Sequence, residues 1–152
     1  MRVRIAAAED AKLLSELRIA QLHDEETQPD IEISEAMEDW FLKKLSDGSL
    51  YQVLLYEEEE LLATGCLYVL EMPPSFHKPT GKVGYIGNMY TLPAHRKKGY
   101  ATKVLSLLKE EAEKRDMDRL FLGASVYGAP VYEAFGFRKC DQFMSLDLKK
   151  IS

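Results

Sequence analysis

Apolar and polar residues alternate from Val3 to Ile5, a short first strand. After Asp10 the apolar spacing changes to three and four: Leu13, Leu14, Leu17, then Gln21 or Leu22. This predicts a helix from an Asp10 cap to about His23, followed by a loop over Asp24–Asp30. Ser34 stands where it could cap a second helix, with Met37, Trp40, Phe41 and Lys44 or Leu45 on one face and Asp47-Gly48 as its stop. Tyr51–Tyr56 and Leu61–Leu70 read as strands joined by a solvated acidic turn over Glu57–Glu60, with Gly65 as a candidate bulge. Met72–Lys82 holds three prolines and a glycine and is long enough to serve as a lid. Val83–Thr91 is the next strand. It leads through a short loop into a helix with Ala101, Val104, Leu105, Leu108 and Ala112 on one face, running to about Arg115. Leu120–Ala124 reads as a strand, and Pro130 opens a short helix to Phe135 that Gly136 ends. A final strand is expected within Arg138–Leu148. The order is β-α-α-β-β-β-α-β-α-β. Its hairpins imply antiparallel pairing and its strand–helix–strand unit a right-handed parallel crossover, hence an α/β chain with a mixed sheet.

Composition narrows the class. A chain of 152 residues is expected to form one domain over 1–152, and at that size it buries roughly 70% of its unfolded surface. The 46% apolar and 30% charged content is that of a globular protein. A net charge of −5 argues against general nucleic-acid binding and suits a cationic acceptor slightly better than an anionic one. Cys66 and Cys140 do not make a disulfide framework, and His23, His77 and His95 lack metal-ligand spacing, so no metal is expected. No apolar run approaches the ~20 residues of a membrane span, and no secretion signal is evident; the expected setting is cytoplasmic, away from membranes.

The chemistry gathers at Arg96-Lys97-Lys98-Gly99-Tyr100-Ala101, between an apolar strand and a helix. A helix start leaves about four N–H groups unpaired and carries partial positive charge, so an anion can sit there. Gly99 allows a backbone angle other residues resist and lets an anion approach closely. The loop lacks the glycines of a mononucleotide P-loop or a dinucleotide fingerprint. It fits [RQ]-x-x-G-x-[GA] through Arg96, Gly99 and Ala101.

That loop resembles the pyrophosphate loop of the GCN5-related N-acetyltransferase (GNAT) family, whose members bind acetyl-CoA. Two further stretches strengthen the likeness. Tyr132-Glu133-Ala134-Phe135-Gly136-Phe137 matches the family's Y-E-x-x-G-F signature, one helix and one strand downstream. Tyr85–Thr91 resembles its central strand. The likeness covers Leu61–Leu148 well and the first two helices only by order. It implies the acyl-CoA N-acyltransferase fold with a splayed central sheet. It further implies that Met89, Tyr90 and Thr91 offer backbone to the pantetheine arm, with Gly87 supplying a bulge and a nearby N–H stabilising the thioester oxyanion. Arg96, Lys97, Lys98, Gly99, Tyr100, Ala101 and Thr102 would hold the pyrophosphate, and Tyr132 would protonate the departing thiolate.

The chain also departs from the family. Ser125 stands where an asparagine often contacts the pantetheine, and Gly128 where alanine is common. Val83–Thr91 contains no carboxylate for a general base, so Glu71 is the first candidate, with His77 behind it. The acceptor, a small-molecule or protein amine, is expected between the first two helices and the Met72–Lys82 loop, where Asp24, Glu25, Glu26 and Glu32 could attract a cation. The resulting expectation is an acetyl-CoA-dependent N-acetyltransferase acting by direct transfer, since no cysteine lies in the motifs. The rival is a CoA-binding sensor or partner module without catalysis. A strand after Phe137 offers an edge for pairing in a homodimer.

Overall fold

A computed structural model describes residues 1–25, 31–140 and 143–149. The elements are β1 (Arg2–Ile5), α1 (Ala11–Asp24), α2 (Ser34–Ser46), β2 (Leu50–Glu57), β3 (Glu60–Glu71), β4 (Lys82–Thr91), α3 (Tyr100–Lys114), β5 (Arg119–Leu122) and α4 (Ala129–Phe135), with one-turn 3-10 helices at Ala8–Asp10 and Pro93–His95. The five strands lie in sequence order; β1 to β4 pair antiparallel and β5 joins β4 in parallel. This is the expected mixed sheet.

The period-two side-chain alternation of β2 feeds two cores. Val53 and Leu55 pack with Val104, Leu105 and Leu108 of α3 on one face. Leu50 and Leu54 pack with Leu14 of α1 and Phe41 of α2 on the other. The sheet is therefore covered on both sides, and β2 is apolar nearly throughout because neither of its faces meets water. Glu111–Arg115 at 2.8 Å and Glu110–Lys114 at 3.9 Å form as helical spacing requires.

Both expected helix caps differ. Asp10 holds the N-cap position of α1 but makes no side-chain cap bond there; its carboxylate accepts from the Arg4 guanidinium and the Ala7 N–H, each at 2.8 Å, and pins the turn between β1 and α1. Ser34 is already helical, and its N–H donates to Glu32 instead. The Met72–Lys82 stretch is not a lid over the site. Met72 N–H donates to Gly81 O, and Thr80 is held by Asp118, so it closes the end of the sheet at which β4 begins. The final strand is not formed by the described residues between 138 and 149, while positions 141 and 142 lie outside them. Phe143, Met144, Leu146 and Leu148 are exposed, and Phe143 meets Phe121 of β5 edge to face. Apolar alternation makes such a segment fit for pairing, but a strand exists only where a partner's ladder receives it.

Candidate active site

β4 and β5 pair from Val83↔Arg119 to Ile86↔Leu122 and no further. From Gly87 onward β4 keeps, among the described residues, only its β3 neighbour, so its other edge opens into a cleft of about 1300 Å³. The divergence coincides with a bulge. Cys66 faces Gly87 and Thr64 faces Tyr90, so β4 carries one residue too many opposite Gly65. The expected bulge at Gly87 thus falls one step later, on Asn88, which takes a left-handed φ of 52°. A short polar side chain tolerates that angle better than most. Gly65 answers the bulge from β3. A Cβ there would come within 2.3 Å of Met89 Sδ and 2.8 Å of Val104 Cγ1, so the missing side chain admits Met89 beneath α3.

The basic loop forms the head of the cleft. Gly99 is the N-terminal boundary residue of α3 with φ 86°, and Lys97 also has positive φ, 64°. No side chain caps the helix, whose first backbone bond is Lys103 N–H to Gly99 O. The N–H groups of the first turn are left to a ligand, in the alternating backbone geometry that cradles anions. Arg96 does not project a spare charge. Its guanidinium donates to Asp24 of α1 at 2.8 Å and to Thr91 O at 2.9 Å, over the Tyr90 ring, and so braces the loop against the strand and α1.

Tyr132 lines the opposite wall from α4. Burial pushes its phenol above the usual tyrosine range, and the Glu25 carboxylate adds to the shift. The group is therefore neutral across the physiological range. The two departures from the family pattern act together beneath it. Ser125 Oγ accepts the Gly128 N–H at 3.1 Å, and a Cβ on Gly128 would stand 2.8 Å from Tyr132 Cε2. Serine tightens the turn into α4, and glycine leaves the ring its space.

Of the residues singled out from sequence, the cleft brings together Met89, Tyr90, Thr91, Arg96, Lys97, Gly99, Tyr100, Ala101, Thr102, Ser125 and Tyr132. Lys98 is not among its lining residues. Glu71, the base candidate, pairs with Lys82 where β4 begins, and neither it nor His77 reaches the cleft. The carboxylates that do reach it are Asp24 and Glu25. Glu26 lies outside the described residues. Sequence reasoning left out Arg18, Trp40, Tyr68, Tyr85 and Asn88, all of which line the cleft. One signal was present: Gln21 is a polar residue on the core-facing stripe of α1, a position that normally carries an apolar side chain. Cys66 is no nucleophile here, since burial in the α1–α2 core pushes its thiol up to about 12. Among the described residues no helix is long and apolar enough to cross a membrane, and no three metal-binding side chains meet.

Comparison with known proteins agrees with this geometry. Residues 12–137 match the family model described as Acetyltransferase (GNAT) family. The uncharacterized N-acetyltransferase YsnE of Bacillus subtilis (strain 168) is 35% identical over 107 residues, 67% of this chain and 65% of the relative's length. A crystal structure of a predicted acetyltransferase with acetyl-CoA from Clostridium acetobutylicum superposes with a TM-score of 0.93 at 36% identity, covering 97% of this chain and 96% of that one. A GCN5-related N-acetyltransferase from Ralstonia eutropha JMP134 gives 0.88 at 26% identity, over 97% and 99%. A family match that takes in both walls of the cleft, joined to structural relatives that follow nearly the whole chain, shows that this protein belongs to the GNAT acetyltransferases and is an acyltransferase.

Proposed function

We propose that the chain moves an acetyl group from acetyl-CoA to a primary amine by direct transfer in a ternary complex. The observation that carries this reading is the free edge of β4 beyond Ile86, opening onto the same cleft as the uncapped start of α3 and the Tyr132 hydroxyl. The residues fit the co-substrate. Its diphosphate suits the N–H groups from Gly99 to Thr102, and the amide-rich pantetheine arm suits a strand edge with unpaired donors and acceptors. The Clostridium acetobutylicum relative was crystallised with acetyl-CoA, which supports the same choice here.

The amine nitrogen then attacks the thioester carbonyl. Its C–N bond forms as the C–S bond breaks, and the excess proton leaves the nitrogen for water in the cleft. The thiolate collects a proton from Tyr132, which solvent restores. An N–H of the bulged segment near Met89 is placed to stabilise the transient oxyanion. Cys66, buried in the core with its thiol pushed up to about 12, is unsuited to carry an acetyl group, which supports direct transfer. The acceptor lies on the α1–α2 side of the cleft, and the chain works in the cytoplasm.

Calorimetry with acetyl-CoA tests the reading, followed by thiol release across a panel of amines. One-to-one binding that weakens at least about tenfold (1.4 kcal/mol) in Gly99→Val supports it. Absence of binding, or density for the coenzyme away from Gly99, overturns it.

A further inference from the structure

Resting on acetyl transfer at this site, the structure also carries information about the acceptor. The α1–α2 side of the cleft has an aromatic wall. Trp40 meets Tyr68 edge to face at 6.0 Å, and Tyr68 lies against Tyr85 at 5.1 Å. Toward this region α1 presents Arg18, Gln21 and Glu25, which the i, i+3, i+7 spacing sets on one face.

Two of these three side chains are unfinished. Arg18 is half-buried, yet its guanidinium makes no hydrogen bond or ion pair among the described residues. The other arginine of the cleft, Arg96, is neutralised by Asp24. Arg18 sits close enough to Tyr68 and Cys66 for its charge to act on both. Gln21 is only 7% exposed. Its amide nitrogen donates to Glu25 at 3.2 Å, whereas its carbonyl oxygen is buried without a donor among the described residues. A half-buried cation and a buried acceptor, both unpartnered among the described residues of one cleft, are costly unless a ligand supplies an anion and an N–H.

We propose that the acceptor is an amino acid with a large apolar side chain: Arg18 binds its carboxylate, the Gln21 amide turns to bring its carbonyl to the cleft surface and accept an N–H from its amine, and Trp40, Tyr68 and Tyr85 enclose its side chain. The Tyr68 phenol, which burial pushes up to about 12, stays neutral and is a further donor to the carboxylate. Polyamines and other polycations fit poorly, because Arg18 has no counter-ion among the described residues and repels a second positive charge. Asp24 pairs with Arg96, and Glu25 accepts from Gln21.

The test is steady-state thiol release from acetyl-CoA with matched acceptors. These are phenylalanine, tryptophan and leucine, their carboxamides, the corresponding decarboxylated amines, and spermidine. The expected result is at least about a tenfold preference in kcat/KM for the free amino acids, although the amide's amine loses its proton more readily. In Arg18→Met that preference disappears through a raised KM for the amino acids alone, and Arg18→Lys restores part of it. Calorimetry should show acetyl-CoA affinity unchanged within about twofold in both variants. Gln21→Leu should fold with an unaltered or higher Tm while its amino-acid KM rises. Equal or better turnover of carboxamides, decarboxylated amines or spermidine overturns the proposal, as does a preference that survives Arg18→Met. Turnover of no acceptor with acetyl-CoA binding intact also overturns it. Each of these leaves the acetyl-CoA reading standing, whereas loss of coenzyme binding in the unaltered protein removes both.

Discussion

At the scale of single residues, burial decides what each group can do. Tyr132 is an ordinary phenol until α4 carries it into the cleft, where desolvation favours the neutral form. Its folded pKa is raised, so the protonated donor persists beyond the usual value near 10, and stability tied to it fades only as pH climbs past that point. Tyr132→Phe should therefore lower kcat by about a hundredfold or less, the low end for general acid catalysis, because a thiolate leaves fairly well. The alkaline limb of the kcat profile should disappear with it. Asp10 shows the opposite sign. The hydrogen bond from Arg4 holds its carboxyl below the usual range, with the Ala7 N–H adding to the effect. The stabilisation is complete above the unfolded value near 3.9 and is lost as pH falls through the folded one. Urea titration of Asp10→Ala at neutral pH should show a loss of about 1–3 kcal/mol, and the acid dependence of stability should become shallower.

At the scale of elements, the chemistry depends on two places where regular structure is interrupted. The first is the β4 bulge facing Gly65. Gly65→Ala pushes a methyl group into Met89 and Val104, which should cost about 1–3 kcal/mol as overpacking does. Because Met89 forms part of the bulge, acetyl-CoA affinity should fall as well. Thermal unfolding alongside calorimetry separates the two effects. The second is the start of α3. Gly99 has φ 86° with open space around it, so Gly99→Ala meets no neighbour but strains the backbone by about 1–2 kcal/mol. Lys98→Ala removes a charge that does not line the cleft. Calorimetry should therefore find a much smaller loss of coenzyme affinity for Lys98→Ala than for Gly99→Ala.

At the scale of the whole molecule, the cleft lies between layers rather than within one. α1 lies across one face of the sheet, while α3 and α4 lie across the other. The Asp24–Arg96 bridge ties the end of α1 to the anion loop, so coenzyme held there bears on both layers. Acetyl-CoA at a hundred times its Kd should stabilise the native state by about 2.7 kcal/mol, read as a rise in Tm. In the proposed binding mode the diphosphate carries the grip, so free CoA should give most of that rise.

The order of helices and the first five strands followed from periodicity and turn residues, since side-chain spacing reflects which face is buried. The left-handed Gly99 at the start of α3 was readable too, because a glycine at a helix start answers a local backbone requirement. Partnerships between distant segments were beyond such reasoning. Nothing near Asp10 announces Arg4 as its partner, and nothing around Glu71 shows that it does not line the cleft. The Arg138–Leu148 alternation predicted a strand that the described residues do not make, because a ladder needs an edge to receive it. Arg18 and Gln21 look like helix-surface and stripe residues until α2, β3 and β4 close around them. Local pattern sets each segment's shape and buried face; only packing decides which side chains meet and which stay unpaired.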